Sequence, residues 1–503
     1  MKESNQNPLV IGTDTVVYHE SSEEFSLPDY VPEIRKVLCV SCGVVPESKY
    51  ISEGSECAQV EFGGSITYSL IYTDEEGKLS ALPLNSNYEA KGQIASMPRG
   101  TIIDTIADNA TCRVNGPRRV TLKSRLKSRI LSFVQAETEG TISPKSSADE
   151  LYVERLTATY PAMQESFHSL EGIKISESFE KGGKPLWCDA QGIINDVKAQ
   201  RGSVSVKGEV TIRCLVNRNG KIEVIEKNVP VYELIECEGA ENEDTAQANI
   251  RCVSLSISNE ETNNSEKLFF DLECEIECQV FKSIDIEITK DAYSTKNEME
   301  VTYEKRKLNT LLRASNSSFT LSEGVKRKNK DITDVIQVIG DPVVEKTEIK
   351  GAKCIILGKL NATVIGSRDL ENAESEYLSE VCEIPFKYEL DLGKESKNVT
   401  VRALPCCLGV NARLEKDTIY VNGEINMGVT AYEQYEIEML KKGEIIKDKE
   451  VKKDTSSVKI YFPKDSDTLW EIAKAYHTRV SILCKENGIE PSSNLNDIKL
   501  IIE

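Results

Sequence analysis

The run Val204-Ser205-Val206-Lys207-Gly208-Glu209-Val210-Thr211-Ile212-Arg213-Cys214 decides the fold class. Its even-numbered residues are mostly apolar and its odd-numbered residues mostly polar. A period of two puts one set on a buried face and the other toward solvent, which describes a β-strand. The pattern returns at Gly64-Ser65-Ile66-Thr67-Tyr68-Ser69-Leu70-Ile71-Tyr72 and at Cys354-Ile355-Ile356-Leu357-Gly358-Lys359-Leu360-Asn361-Ala362-Thr363-Val364. Each run holds one matching glycine: Gly64, Gly208 or Gly358. A glycine inside a strand predicts a bulge or a close backbone approach there.

Three matching runs in a chain of 503 residues indicate an internal repeat. Phe25-Ser26-Leu27-Pro28 returns loosely as Phe167-His168-Ser169-Leu170 and Phe319-Thr320-Leu321-Ser322, about 40 residues before each glycine. A turn follows each run, at Asp74-Glu75-Glu76-Gly77, Asn217-Arg218-Asn219-Gly220 and Ser367-Arg368-Asp369. The next strand is expected to end near Pro83, Pro230 or Pro385, which places the proline at a sheet edge or at a strand end. A second strand-rich half completes each unit. It alternates through Val120, Leu122, Leu126 and Ile130, then Phe270, Leu272, Cys274, Ile276, Cys278 and Val280, then Ile419, Val421, Ile425, Met427 and Val429.

The fold class is therefore mainly β. Three related antiparallel β-rich units are expected at 1–145, 146–325 and 326–452, with junctions in the polar stretches 143–149 and 326–331. A smaller module follows at 458–503. Lys459-Ile460-Tyr461-Phe462 reads as a short strand. Leu469, Ile472, Ala473 and Tyr476 recur at helical spacing, and Thr468 with Glu471 forms a capping box at the helix start. A second helix runs from Val480 to Asn487 and stops at Gly488. Lys499-Leu500-Ile501-Ile502 closes the module as a strand, giving the order β-α-α-β.

Composition narrows the function. The chain is 39% hydrophobic and 29% charged, as a globular protein is. Its formal net charge of −20 works against general binding to nucleic acid or anionic lipid. No apolar run is long enough to cross a membrane, so no direct membrane insertion is expected. The first residues have no apolar signal region, which predicts a cytoplasmic location. With 15 cysteines, complete internal pairing is impossible, and most are expected as reduced strand residues.

There is no phosphate-binding glycine loop, no dinucleotide fingerprint and no zinc-protease helix. His19, His168 and His477 are the three histidines, none with a visible catalytic partner. Cys39-Val40-Ser41-Cys42 reads as a strand, Cys274-x-x-x-Cys278 lies along one strand face, and Cys406-Cys407 is merely adjacent in sequence, so structural thiols are expected. The reading is a non-enzyme with no catalytic residues, no cofactor and no metal. Arg113, Arg118, Arg119, Lys123, Arg125, Lys127 and Arg129 form a basic stripe in an acidic chain. It reads either as a solvated strand face or as a dock for an acidic partner, such as Glu273, Glu275 and Glu277 of another copy; the second reading predicts self-association. Trp470 is expected in the core or groove floor of the small module.

The run Ser466-Asp467-Thr468-Leu469-Trp470-Glu471-Ile472-Ala473, with Tyr476 and Asn487-Gly488-Ile489, resembles a LysM module over 458–503. That resemblance implies a shallow groove for glycans containing N-acetylglucosamine. Asp467, Thr468 and Leu469 would line one side, and Asn487, Gly488 and Ile489 the other. Ser466 stands where the family has Gly, Asn496-Asp497 where it has Pro-Gly, and the closing Pro is absent. These departures leave room for a protein ligand.

The three β units, with the Phe-x-Leu-Pro lead, the internal Gly, the Pro-bearing strand and Asp291-Ala292-Tyr293-Ser294, resemble the SPOCS domain of spore-coat proteins. Several such units before one LysM module is the architecture of a clostridial coat-assembly family. The resemblance implies a scaffold in the mother-cell cytoplasm, at the forespore surface, that ties coat layers to the spore. Its LysM module would engage a coat basement-layer protein, a SpoIVA-like ATPase. The alternative is a binder of peptidoglycan or cortex glycan through the LysM groove.

Overall fold

A computed structural model describes residues 8–502 apart from 55, 144–150, 180–181, 219, 263–264, 370–374, 452–458 and 496–497, and leaves the side chains of 165–168 and 260–266 undescribed. The first unit comprises β1 (Leu9–Ser26), β2 (Lys36–Ser52), β3 (Cys57–Thr73), β4 (Leu79–Ala95), β5 (Gly100–Gly116) and β6 (Arg119–Gln135). They form two three-stranded sheets, ordered β1-β6-β5 and β2-β3-β4. A short β7 (Thr141–Ser143) follows.

The second unit repeats the plan with β8 (Val153–Phe179), β9 (Lys184–Gln200), β10 (Ser203–Arg218), β11 (Lys221–Glu236), β12 (Thr245–Thr262) and β13 (Ser265–Ser294). The third does so with β14 (Asn297–Lys326), β15 (Asp334–Lys350), β16 (Lys353–Asp369), β17 (Ser375–Asp391), β18 (Val399–Glu415) and β19 (Thr418–Glu450). Their sheets are β8-β13-β12 with β9-β10-β11, and β14-β19-β18 with β15-β16-β17. Each unit is thus a three-stranded meander between a first strand and a last hairpin, and the final strand pairs back with the first.

The alternating runs are the middle strands of the meanders, as a period of two requires. In the first unit Ile66, Tyr68, Leu70 and Tyr72 of β3 are buried against Val120, Leu122, Leu126 and Ile130 of β6. The matching layers join β10 to β13 and β16 to β19. Each such Leu or Ile contributes about 1.5–3 kcal/mol on burial.

The repeated glycines sit where the neighbouring strand bulges. The register slips between Pro46 and Ser48 beside Gly64, at Gly208 itself, and between Val344 and Lys346 beside Gly358. A Cβ at Gly64 would lie 2.1 Å from the Val45 carbonyl oxygen, at Gly208 2.1 Å from that of Ile193, and at Gly358 2.4 Å from that of Val343. Close backbone approach is therefore common to all three units. Seven residues beyond each glycine stand Ile71, Leu215 and Ile365, which meet in one apolar cluster between the units.

Three expectations change. Pro83, Pro230 and Pro385 lie on edge strands, but the strands continue past them because an edge residue can leave its nitrogen outward. The Phe motif is not one structural position: Phe25 pairs with Val120, Phe167 with Val280 and Phe319 with Ile425. The edge expected at 325/326 falls late, since β14 pairs with β19 along its length and belongs with the third unit's sheets. The stretch 144–149 and the edge at 452 lie outside the described residues.

The units meet through equivalent residues. Phe133 of β6 and Phe281 of β13 each stand edge-on to Tyr432 of β19, with centroids 5.7 and 5.8 Å away. Beside them Arg402 of β18 is buried and holds Asp104 of β5 at 2.7 and 2.6 Å and Glu277 of β13 at 3.3 Å. One guanidinium thus ties all three units. Burial opposes its charge, but Asp104 and Glu277 outweigh that and raise its proton affinity.

The strands β8, β13, β14 and β19 run on beyond their sandwiches. Their extensions pack through Ile288, Leu308, Ile437 and Met439 and then through Ala292, Leu440 and Ile142. Here β7 joins β19 in parallel. The last module, β20 (Lys459–Tyr461), α1 (Leu469–Ala475), α2 (Val480–Asn487) and β21 (Leu500–Ile502), sits against the end of this extension.

Candidate functional site

The small module is built as its sequence dictates. Thr468 Oγ1 accepts from the Glu471 backbone at 3.2 Å, and the Glu471 carboxylate accepts from the Thr468 backbone at 3.0 Å. This closes the capping box and starts α1. Gly488 ends α2 at a φ of +63°, a left-handed cap that glycine takes without a Cβ penalty. Leu469, Ile472, Ala473, Leu483, Cys484, Leu495, Leu500 and Ile502 make its core.

Of the six groove residues, Asp467, Thr468 and Leu469 lie at the start of α1 and Asn487, Gly488 and Ile489 at the end of α2, but most of their side chains hold the module together. The Asp467 carboxylate accepts from the Lys464 backbone at 2.9 Å and the Tyr461 hydroxyl at 2.7 Å, which keeps it below the usual carboxylate range. Thr468 caps α1 and Leu469 is buried. Asn487 donates to the Leu483 and Ile501 carbonyls, both at 2.8 Å, and accepts from the Ile501 backbone at 2.6 Å, sealing the outer edge of β21. Gly488 is the cap, and Ile489 packs partly on the core.

The exposed apolar side chains lie elsewhere. Ile460 and Ile501 face each other across β20 and β21. They are 61% and 41% exposed, and Phe462 beside them is 63% exposed. Lys499 Nζ sits 5.6 Å above the Phe462 ring. The helices cover the sheet's other face through Leu500 and Ile502.

Trp470 does more than the expected core role. It touches the module's core, but its indole stands edge-on to Tyr293, 4.8 Å between centroids, and its Nε1 donates to Asp291 at 2.8 Å. Lys474 Nζ reaches both Asp291 oxygens at 2.9 and 2.7 Å, and the Tyr303 hydroxyl donates to Asp291 at 2.7 Å. Burial pushes Asp291 up, but the bonds from Lys474, Trp470 and Tyr303 outweigh it and hold the carboxyl low.

The contact extends on both sides. The Tyr293 hydroxyl donates to the Thr478 carbonyl at 2.7 Å. His477 is half-buried at a φ of +51°, with Nδ1 3.0 Å from the Ser294 carbonyl. Arg479 pairs with Glu154 at 3.0 Å and donates to the Leu151 carbonyl. One face of α1 is therefore occupied by the second unit. Sequence reading flagged Asp291-Ala292-Tyr293-Ser294 as a motif without seeing its partner. The unusual length of β13 and the acid-aromatic end of that strand were the available signals.

The basic stripe starts with Arg113 on β5 and Arg118 in the turn, continues along β6, and is not uniform there. Arg119 and Lys123 are exposed, whereas Arg125 pairs with Asp108. Lys127 is half-buried. Arg129 grips Asp14 with two bonds of 2.8 Å and donates to the Val401 carbonyl of the third unit. The acidic residues suggested as its counterpart have partners within the chain: Glu273 with Lys174, Glu275 with Arg251 and Glu277 with Arg402.

Of the remaining histidines, His19 has a partner that sequence did not reveal, the Ser128 hydroxyl at 3.0 Å, and it stacks on Tyr88. The side chain of His168 lies outside the described residues. Among the described residues no group of His, Cys, Asp or Glu is arranged to hold a metal ion. None of the described helices is long and apolar enough to cross a membrane.

Comparison with protein families gives two matches. Residues 183–259 match the SipL, SPOCS domain model, which covers β9 to β11 and most of β12. Residues 464–496 match the LysM domain model. No curated protein and no solved structure matches the chain. The two domains occur in the order that the sequence resemblance led us to expect. Both are binding domains without catalytic function, and together they mark a sporulation, coat-associated protein that carries a LysM binding module.

Proposed function

We propose that this chain is a non-enzymatic spore-coat scaffold in the mother-cell cytoplasm that anchors coat layers at the forespore surface. In this reading the three β units form a rigid body, and the LysM module docks a coat basement-layer protein of the SpoIVA-like ATPase kind. The observation that carries a protein ligand over a glycan is the apolar face of Ile460, Phe462 and Ile501, 61%, 63% and 41% exposed on an otherwise well-capped module. An apolar patch of this kind is completed by another protein's side chains. The polar groups that a sugar would use at Asp467, Thr468 and Asn487 are bonded within the module.

The test is capture from sporulating-cell lysate with the full chain as bait, with and without Phe462→Ala and Ile460→Ser. Peptidoglycan fragments serve as competitor. The reading expects one coat basement-layer protein to be retained, lost in both variants and indifferent to the fragments. Capture of peptidoglycan with no protein partner would replace it with the cortex-glycan reading, for which the family match at 464–496 is the support.

A further inference from the structure

The second unit carries two pairs of cysteines set directly across from each other on neighbouring strands. Cys252 of β12 lies opposite Cys274 of β13, with the sulfurs 3.6 Å apart. Cys188 of β9 lies opposite Cys214 of β10. The pairs belong to the two facing sheets of one sandwich. Cys214 and Cys274 are buried in its core, while Cys188 and Cys252 are half-buried at its margin.

The first and third units have no such pairs among their described residues. Leu70 and Val364, six residues beyond Gly64 and Gly358, stand where Cys214 stands beyond Gly208. Leu126 and Ile425, seven residues before Phe133 and Tyr432, stand where Cys274 stands before Phe281. All four of these counterparts are buried aliphatics. Packing alone is thus satisfied by aliphatic side chains at these positions, and the second unit has thiols at both.

Opposed residues of an antiparallel pair have Cβ atoms about 4.5–5.5 Å apart, next to the roughly 3.5–4.5 Å of a disulfide. Sulfurs in contact at 3.6 Å need close by only about 1.5 Å to reach bonding distance. The half-buried member of each pair gives a small oxidant access.

We propose that Cys252 with Cys274, and Cys188 with Cys214, are oxidisable dithiols that close to two cross-strand disulfides in the folded chain, with a peroxide as oxidant. In the first step one thiolate attacks the peroxide oxygen. The O–O bond breaks, the sulfur becomes a sulfenic acid and hydroxide leaves as water. In the second the partner sulfur attacks the sulfenic sulfur, the S–S bond forms, and the S–O bond breaks to release a second water. Two thiols and one hydrogen peroxide give one disulfide and two waters; the sulfurs lose the two electrons that the peroxide gains. The contact with Cys252 eases ionisation of Cys274, whereas that same contact and burial oppose ionisation of Cys252. Because the thiolate is the attacking species, the reaction quickens as pH rises.

The experiment uses the full chain carrying Cys57→Ser, which removes the cysteine that is exposed. The folded protein is treated with hydrogen peroxide at pH 8, alkylated in denaturant and digested without reduction. Mass spectrometry is expected to find peptides joined through 252–274 and 188–214, each lighter by two hydrogens and separated by dithiothreitol. Adding Cys252→Ser should abolish the first link and keep the second; Cys188→Ser should do the reverse. Circular dichroism before treatment shows that each variant is folded. Alkylated free cysteines at these four positions after treatment, or links to other cysteines in the folded chain, would overturn the proposal.

Discussion

Trp470 and Asp291 lie 179 residues apart in sequence and are joined by a hydrogen bond of 2.8 Å that fixes the LysM module against the second unit. Asp291 is the centre of this contact, since Lys474 and Tyr303 also bond to it. The face of α1 that carries Trp470 and Lys474 is covered, while the outer face of β20 and β21 is presented. The module's orientation therefore selects which surface a partner can reach.

Replacing Asp291 by Ala should release the module. Lys474 and Trp470 would then face a partly buried site without an acceptor, a loss of about 1–3 kcal/mol. Small-angle scattering should show a larger radius of gyration, and Trp470 emission should shift to the red while the β units keep their melting temperature. The pH response has a definite sign. Asp291 is held below its ordinary value in the docked state. Its contribution is present above the ordinary carboxylate range and is lost as pH falls through the lowered value. Docking should be constant from pH 5 to 8 and weaken below pH ~4, an effect that scattering at graded acid pH would reveal.

Gly208→Ala should destabilise the second unit. The new Cβ would meet the Ile193 carbonyl oxygen at 2.1 Å, and both atoms belong to paired strands that cannot move apart freely. Overpacking of this kind costs about 1–3 kcal/mol. Gly220→Ala is the useful contrast: nothing lies within 4 Å, but its φ of +87° strains any side chain. Calorimetry should lower the transition in both, and deleting the crowded contact by any backbone change near Ile193 should rescue only the first.

The strands, the repeat and the module's helices were legible because each rests on local chemistry. Alternation at 204–214 sets one face, Thr468 with Glu471 sets a helix start, and Gly488 sets its end. The docking of the module was not legible, since it joins residues far apart that carry no periodic signal. Arg129 illustrates the limit. In sequence it is one more cation of a stripe, yet its bonds run to Asp14 and to Val401 of the third unit. The groove residues show a different limit: Asn487 and Asp467 are where the motif puts them, but a motif does not say which atoms their side chains bond.

The stripe should accordingly respond unevenly to mutation. Lys123→Glu changes an exposed charge and should leave melting unaltered, as surface substitutions generally do. Arg129→Ala removes a bidentate ion pair together with a bond between units, and should lower the melting temperature by a few degrees. Equal effects from the two would show that the stripe acts as one surface, and analytical ultracentrifugation of Lys123→Glu would then report whether that surface joins copies.

Arg402 carries the sharpest prediction. It is buried, and its guanidinium reaches Asp104 at 2.6 Å and Glu277 at 3.3 Å, acids from the two other units. Arg402→Leu removes the cation that Asp104 and Glu277 share at the junction. Breaking a buried pair from one side costs about 3–5 kcal/mol, because the remaining charge loses its compensation. The three units should then melt less cooperatively, and added salt should recover little, since a buried site is poorly screened. The triple replacement Arg402→Leu, Asp104→Leu, Glu277→Leu removes the three charges of this cluster together and should restore most of the loss. Calorimetry of the single and triple variants separates the two contributions: a triple variant as unstable as the single one would mean that packing of the arginine stem, and not the shared cation, holds the units together.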